Sequence, residues 1–188
     1  MKKFIILSIA VFFSVSLSAQ KIALKNNLLY DATLTPNLAL EIGLGKRTTL
    51  ELGGGWNPFE FSNDKKFKHW LVQPELRFWP CERFNGLFFG VHGHGGEFNI
   101  AKLDLPFGLF ESLKDHRYEG HFYGGGVSIG YQFILGRRWN FEMSVGGGYA
   151  YIDYDKYECG DCGQKLESDT KNYWGVTRAT LSFVYFFK

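Results

Sequence analysis

His121-Phe122-Tyr123-Gly124-Gly125-Gly126-Val127-Ser128-Ile129-Gly130-Tyr131-Gln132-Phe133 decides the fold class of this chain. Tyr123, Val127, Ile129, Tyr131 and Phe133 occupy one set of alternate positions. Gly124, Gly126, Ser128, Gly130 and Gln132 occupy the other. A period of two is the period of a β-strand, whose successive side chains point to opposite faces. One face of this strand is apolar and aromatic; the other is small or polar.

The flanking segments repeat the pattern. In 139–154, Phe141, Met143, Val145, Tyr149 and Tyr151 alternate with Asn140, Glu142, Ser144, Gly146 and Gly148. In 173–187, Ala179, Leu181, Phe183, Tyr185 and Phe187 alternate with Arg178, Thr180 and Ser182. Upstream, 37–44, 48–57, 69–79 and 87–96 behave alike, and 22–30 does so most weakly. Eight such segments with no helical period between them predict an all-β chain of eight strands. Composition agrees: 34 aromatic residues (19 Phe, 10 Tyr, 5 Trp) and 23 Gly in 188 residues suit curved strands and exclude disorder. The glycines follow no three-residue period, which excludes collagen.

Alternation alone also fits a soluble sandwich or a lipocalin-like barrel. Three features select a membrane barrel. The links at 45–47, 80–86 and 134–138 are short, whereas those at 57–68, 97–120 and 155–172 are long; only the link at 31–36 breaks the rule. Aromatic residues gather at both strand ends, as two interfacial girdles would require. Phe78, Trp79, Phe84, Phe88, Phe133, Trp139 and Phe141 fall at the short-turn end; Trp56, Trp70, Tyr123, Tyr151, Tyr154, Tyr173 and Trp174 fall at the other. The chain also finishes on an amphipathic strand rich in Phe and Tyr, with Lys188 after the last aromatic. The expected fold is therefore an eight-stranded antiparallel up-and-down transmembrane β-barrel over 20–188, with both termini on the periplasmic side.

Residues 1–19 read as a signal peptide: Lys2 and Lys3, an apolar run from Phe4 to Leu17, then small Ser18 and Ala19. Loss of Lys2 and Lys3 leaves 19 basic residues facing 19 acidic ones. That near-neutral balance, with no basic patch, argues against nucleic acid as a partner.

Three stretches carry a family resemblance: Ala23-Leu24-Lys25-Asn26-Asn27-Leu28-Leu29-Tyr30-Asp31-Ala32-Thr33, His69-Trp70-Leu71-Val72-Gln73-Pro74-Glu75, and Cys81-Glu82-Arg83-Phe84-Asn85-Gly86. They resemble a family of small Bacteroidetes outer-membrane β-barrel proteins defined by a domain of unknown function. The resemblance implies an outer-membrane location and a barrel similar to the membrane domain of OmpA. It brings no catalytic residues and no cofactor.

With apolar faces toward lipid, Lys25, Glu41, Glu51, Glu75, Arg77, Glu142 and Arg178 point into the lumen. Four acids and three bases in so narrow a space should pair, with Arg178 as the expected central counter-ion. The network reads as a structural plug, or alternatively as the gate of a narrow channel. Gly runs at 53–55, 93–96, 124–126 and 146–148 read as strand coiling, or as an outer-half cavity for a ligand such as an acyl chain. His92 and His94 share a face and are metal candidates; Glu97 and His121 are their possible neighbours, since zinc needs three or four ligands. Ser128 and Ser144 are the hydroxyls a lipid-modifying enzyme would use, but they have no diagnostic context. Cys159 and Cys162 fit a loop disulfide, leaving Cys81 over. The apolar run 103–110 lies in a long loop and suits a contact patch. The expected role is structural or surface-binding, in a monomer that contacts outer-membrane lipid and a surface-assembly partner through its long loops.

Overall fold

The computed structural model describes residues 21–61, 65–101, 116–158 and 164–187, with the backbone alone at 60, 61, 65 and 66. The expected signal segment, Cys159, Cys162 and the run 103–110 lie outside the described residues.

In chain order the elements are β1 (Ile22–Asn27), α1 (Leu28–Ala32), β2 (Asn37–Gly43), β3 (Thr48–Asn57), β4 (Glu60–Phe61), β5 (Lys65–Phe78), β6 (Gly86–Ala101), β7 (His116–Ile134), β8 (Trp139–Glu158) and β9 (Lys165–Phe187). All pairings are antiparallel. β3 pairs with β5 and β1 with β9, so eight strands close a ring; two-residue β4 only extends the β3–β5 connection. The expected eight-stranded antiparallel barrel is the fold. Ile22 faces Phe187 across the closing pair, so both ends of the described chain lie at the end of the short turns.

The ring is lopsided. β1 to β3 have 6, 7 and 10 residues, whereas β7, β8 and β9 have 19, 20 and 23. About 9–11 tilted residues suffice to cross a bilayer. The outer parts of β5 to β9 therefore rise as a wall past the loop end of β1 to β3. The first segment also ends earlier than its alternation suggests. Asn27 caps a one-turn helix by accepting from Leu29 N at 3.2 Å, so 28–32 leaves the ladder.

The outer surface is apolar. Leu38, Leu52, Val72, Leu76, Val91, Val127, Ile129, Val145 and Val176 are all exposed on it. Trp56 and Trp70 pair at the loop end, with Tyr123–Tyr151 and Tyr149–Trp174 stacked at 5.3 and 5.0 Å. Phe141–Phe183 meet edge-to-face at 5.5 Å and Trp139–Tyr185 pack tilted at 4.9 Å toward the turn end. The expected girdles thus lose some members. Trp79, Phe84 and Phe88 are buried inside, because the β5–β6 turn folds back beneath the barrel. Tyr154 and Tyr173 pack on an interior cluster at the other end.

β9 contains two extra residues against β8, Leu166 near the loop end and Thr177 within the barrel. Gly146 faces Arg178 and Gly147 faces Val176, which leaves Thr177 as a bulge. A bulge exchanges the faces of the strand beyond it. Arg178, Thr180, Ser182 and Val184 are buried on one side of it, whereas beyond it Tyr173 turns inward and Trp174 and Val176 are exposed.

Several inner-face glycines mark where a neighbouring backbone or ring approaches closely. A Cβ on Gly126 would strike the carbonyl of Gly147, and one on Gly124 the carbonyl of Tyr149. A Cβ on Gly130 would occupy the space of the Phe88 ring. Gly45, in a turn, has nothing within 4 Å. We expect Gly126→Val to lower stability by about 3 kcal/mol or more through overpacking, while Gly45→Ala stays within about 0.5 kcal/mol of wild type. Urea unfolding of the detergent-refolded barrel checks this; equal midpoints for the two variants would refute the close-approach account.

Candidate functional site

Seven charged side chains from six strands meet inside the ring. Lys25 comes from β1, Glu41 from β2, Glu51 from β3, Glu75 and Arg77 from β5, Glu142 from β8 and Arg178 from β9. All are at most 5% exposed. Each sits on the alternate position facing inward, so the period-two pattern alone aims them at one another.

Arg77 is the centre of the cluster, which corrects the expectation for Arg178. Its Nη1 lies 3.1 Å from Glu41 Oε2 and 3.0 Å from Glu142 Oε2. Its Nη2 lies 2.7 Å from Glu51 Oε2, and its Nε 2.5 Å from Glu75 Oε2. Lys25 Nζ is against Glu41, 2.5 Å from Glu142 Oε2 and 2.9 Å from Glu51 Oε2. Arg178 reaches only Glu51 and Glu75, and donates to Gln73 Oε1 at 2.8 Å. The physical reason is position: Arg178 is next to the bulge at the loop side of the layer, whereas Arg77 extends to its middle.

Glu41, Glu51 and Glu142 each bring an oxygen within 4.8 Å of the other two, a spacing a metal ion could use. Lys25 Nζ contacts all three carboxylates, so the chain supplies its own cation there. His92 and His94 lie on the loop side of this layer with rings 5.8 Å apart. His92 Nε2 is 2.9 Å from Thr177 Oγ1. Glu97 and His121 face each other across β6 and β7, but on the outer surface, so they cannot join the pair. Ser128 Oγ donates to Glu75 and Ser144 Oγ lies 2.7 Å from Thr180 Oγ1; both hydroxyls are engaged in lumen contacts.

Two apolar tiers enclose the charged layer. At the turn end Ala23, Trp79, Phe84, Phe88 and Val184 pack together with Phe186. At the loop end Phe98, Ile100, Tyr118 and Ile152 pack with Phe67, Phe122, Tyr154 and Tyr173. The lower tier is tied to the charges. Arg77 Cζ sits 4.4 Å over the Phe88 ring, a cation–π contact. Trp79 Nε1 donates to Thr49 Oγ1 at 2.9 Å, and Thr49 donates onward to Glu41. Phe84 enters from a turn with φ +65°, which strains a bulky residue. Arg83 Nη1 donating to Gly45 O at 3.0 Å, and Asn140 Nδ2 donating to Phe84 O at 3.1 Å, hold the turn in place. Sequence reasoning missed this plug; an aromatic inside a short polar turn was its signal. Cys81 is a free, exposed thiol on the same turn.

Beyond the barrel, Trp56, Asn57, His69, Trp70, Phe98 and His121 border a recess of about 600 Å³ at the loop end. On the wall, Lys165 Nζ and Ser168 Oγ each lie 2.7 Å from Asp155 Oδ1. Those donors hold the Asp155 carboxyl below its usual range.

Arg77→Met should destabilise the barrel by about 3–5 kcal/mol or prevent folding, because four carboxylates lose their shared cation. Arg178→Met should cost clearly less. Urea midpoints decide, and an equal or larger loss for Arg178→Met would restore it as the centre.

Among curated proteins no sequence matches this chain. Among solved structures, a major outer membrane protein from Thermus thermophilus aligns with a TM-score of 0.45 and 14% identity, over 90% of this chain and 100% of that one. The model of the family DUF3575, described as a protein of unknown function, matches residues 4–187, and the chain belongs to that family.

Proposed function

We propose that the protein is a closed outer-membrane barrel, both termini periplasmic, that serves as an anchored platform and offers its loop end as a binding surface. One observation carries the reading: a charged layer lying between two apolar clusters, inside a ring whose outer face is apolar. Soluble proteins rarely expose so large an apolar area. A closed ring meets the requirement that lipid imposes, since every backbone polar group of the embedded part pairs between strands. The polar inside and the two aromatic bands fit the same solvent.

The closed lumen favours binding over transport. A solute would have to displace Trp79, Phe84 and Phe88 and then separate Arg77 and Lys25 from their carboxylates. The chemistry left accessible is at the loop end: the Trp56–Trp70 recess and the polar wall formed by the outer halves of β7 to β9. A narrow channel and a lipid-modifying enzyme are the competing roles. The channel would need the Arg77 and Lys25 pairs to exchange partners. The enzyme would need Ser128 or Ser144 to leave its present hydroxyl contact.

Purified protein in planar bilayers is expected to show no conductance steps, and lipid A from a deletion strain is expected to have an unchanged mass spectrum. Crosslinkers placed at His121 and Ser168, on the wall beyond the aromatic band, should capture a surface component, while one at Phe141 should label only lipid. Steady single-channel conductance in the wild type would overturn the closed-platform reading.

A further inference from the structure

The charged layer holds four carboxylates and three permanent cations, and its hydrogen bonding indicates where the missing positive charge resides. Of the eight carboxylate oxygens, seven have partners. Glu41 Oε1 accepts from Thr49, and Glu75 Oε1 accepts from Ser128. Glu51 Oε1 meets Arg178, and its Oε2 meets Lys25 and Arg77. The Oε2 atoms of Glu41, Glu75 and Glu142 all meet Arg77. Glu51 Oε2 and Glu142 Oε1 are buried with no hydrogen bond, but Glu51 Oε2 lies against Lys25 and Arg77, whereas Glu142 Oε1 has neither a hydrogen-bond nor an ion-pair partner among the described residues. Directly across the β7–β8 ladder from Glu142 stands Gln132, 1% exposed, with neither amide atom partnered. Side chains directly opposite in a ladder have Cβ atoms about 5 Å apart, within reach of each other.

We infer that Glu142 is a proton-binding site: it is held as a neutral acid whose Oε1–H donates to the Gln132 amide carbonyl. An uncompensated charge in a dry interior is far more costly than one in water, so the layer must acquire a fourth positive charge. Glu142 is where a proton completes a hydrogen bond instead of breaking one. A proton on Glu41 or Glu75 would displace a hydroxyl donor, and one on Glu51 would oppose three cations. The ionic groups that the other strands contribute to the layer are Lys25, Glu41, Glu51, Glu75, Arg77 and Arg178, with His92 beside Glu75. β7 contributes only neutral Gln132 and Ser128. A metal ion would find only Glu142 Oε1 and the amide oxygen of Gln132 free here, and Lys25 already takes the centre of the three-carboxylate group.

The four single variants E41Q, E51Q, E75Q and E142Q test the assignment on the refolded mature chain in detergent. E142Q mimics the neutral acid and should unfold at or above the wild-type urea midpoint, while the other three unfold at lower urea or fail to refold. Infrared spectra at neutral pH should show the carbonyl stretch of a protonated carboxylic acid in wild type. E142Q should abolish that band, and Q132L should shift it as the acceptor is lost. An E142Q midpoint as low as that of E41Q, or a band that survives E142Q, overturns the proposal. So does a midpoint loss confined to H92N, which places the charge on His92, or a wild-type midpoint that rises with sodium and not with choline, which places a metal cation there. Failure of this proposal would leave the platform reading standing, since membrane insertion and closure are measured separately by conductance.

Discussion

A guanidinium inside a ring of strands has no water to turn to, and Arg77 solves that problem by meeting carboxylates from β2, β3, β5 and β8 at once. Much else follows from this one group. It fixes how far apart opposite walls of the barrel can stand. It presents a cationic face to Phe88 and so positions the plug below. It sets the total charge that its neighbours must match. Pairing of this kind adds little net energy compared with an apolar filling, but breaking it in part is severe. The layer therefore specifies one register for the strands that carry it, since a slip by one residue would turn Glu41, Glu51 or Glu142 outward.

Much of the arrangement is legible in the sequence because the inner half of each strand faces two different solvents. Where one face meets apolar surroundings and the other a polar lumen, alternation is strict, and 48–57 is recognised to its ends. All seven lumen charges follow from that parity. Legibility fails where the contrast disappears. The outer halves of β7 to β9 extend strands that alternation ends near 121, 154 and 173, because polar residues occur on both faces there, as in Asp153 to Lys156. Parity also cannot register an inserted residue, so Thr177 and the exchange of faces beyond it were invisible. The rank of Arg77 over Arg178 was hidden for the same reason. Parity tells which side a group is on, but reach across the lumen depends on height, and the bulge sets the height of Arg178.

The turn plug shows a different limit. Cys81-Glu82-Arg83-Phe84-Asn85-Gly86 resembles an ordinary surface turn in composition, and Glu82 and Asn85 do bridge to close it. Its purpose depends on tertiary contacts: Arg83 reaching the β2–β3 turn and Asn140 donating to the backbone at Phe84. Strain at Phe84 is tolerated because the surrounding packing over-determines it.

The first strand is short, and that has a mechanical meaning. β1 is joined to β9 through only six residue positions, whereas β8 follows β9 along most of its length. In a barrel of staves it is the one held by the least glue along its edges. Lys25 fastens it from within to β2, β3 and β8, and Asn27 hooks its tip to β9 at Ala179 and Leu181. The first stave is thus held by short ladders on both edges, four positions to β2 and six to β9, reinforced by these side chains, and it is the stave that would work loose first under sideways load.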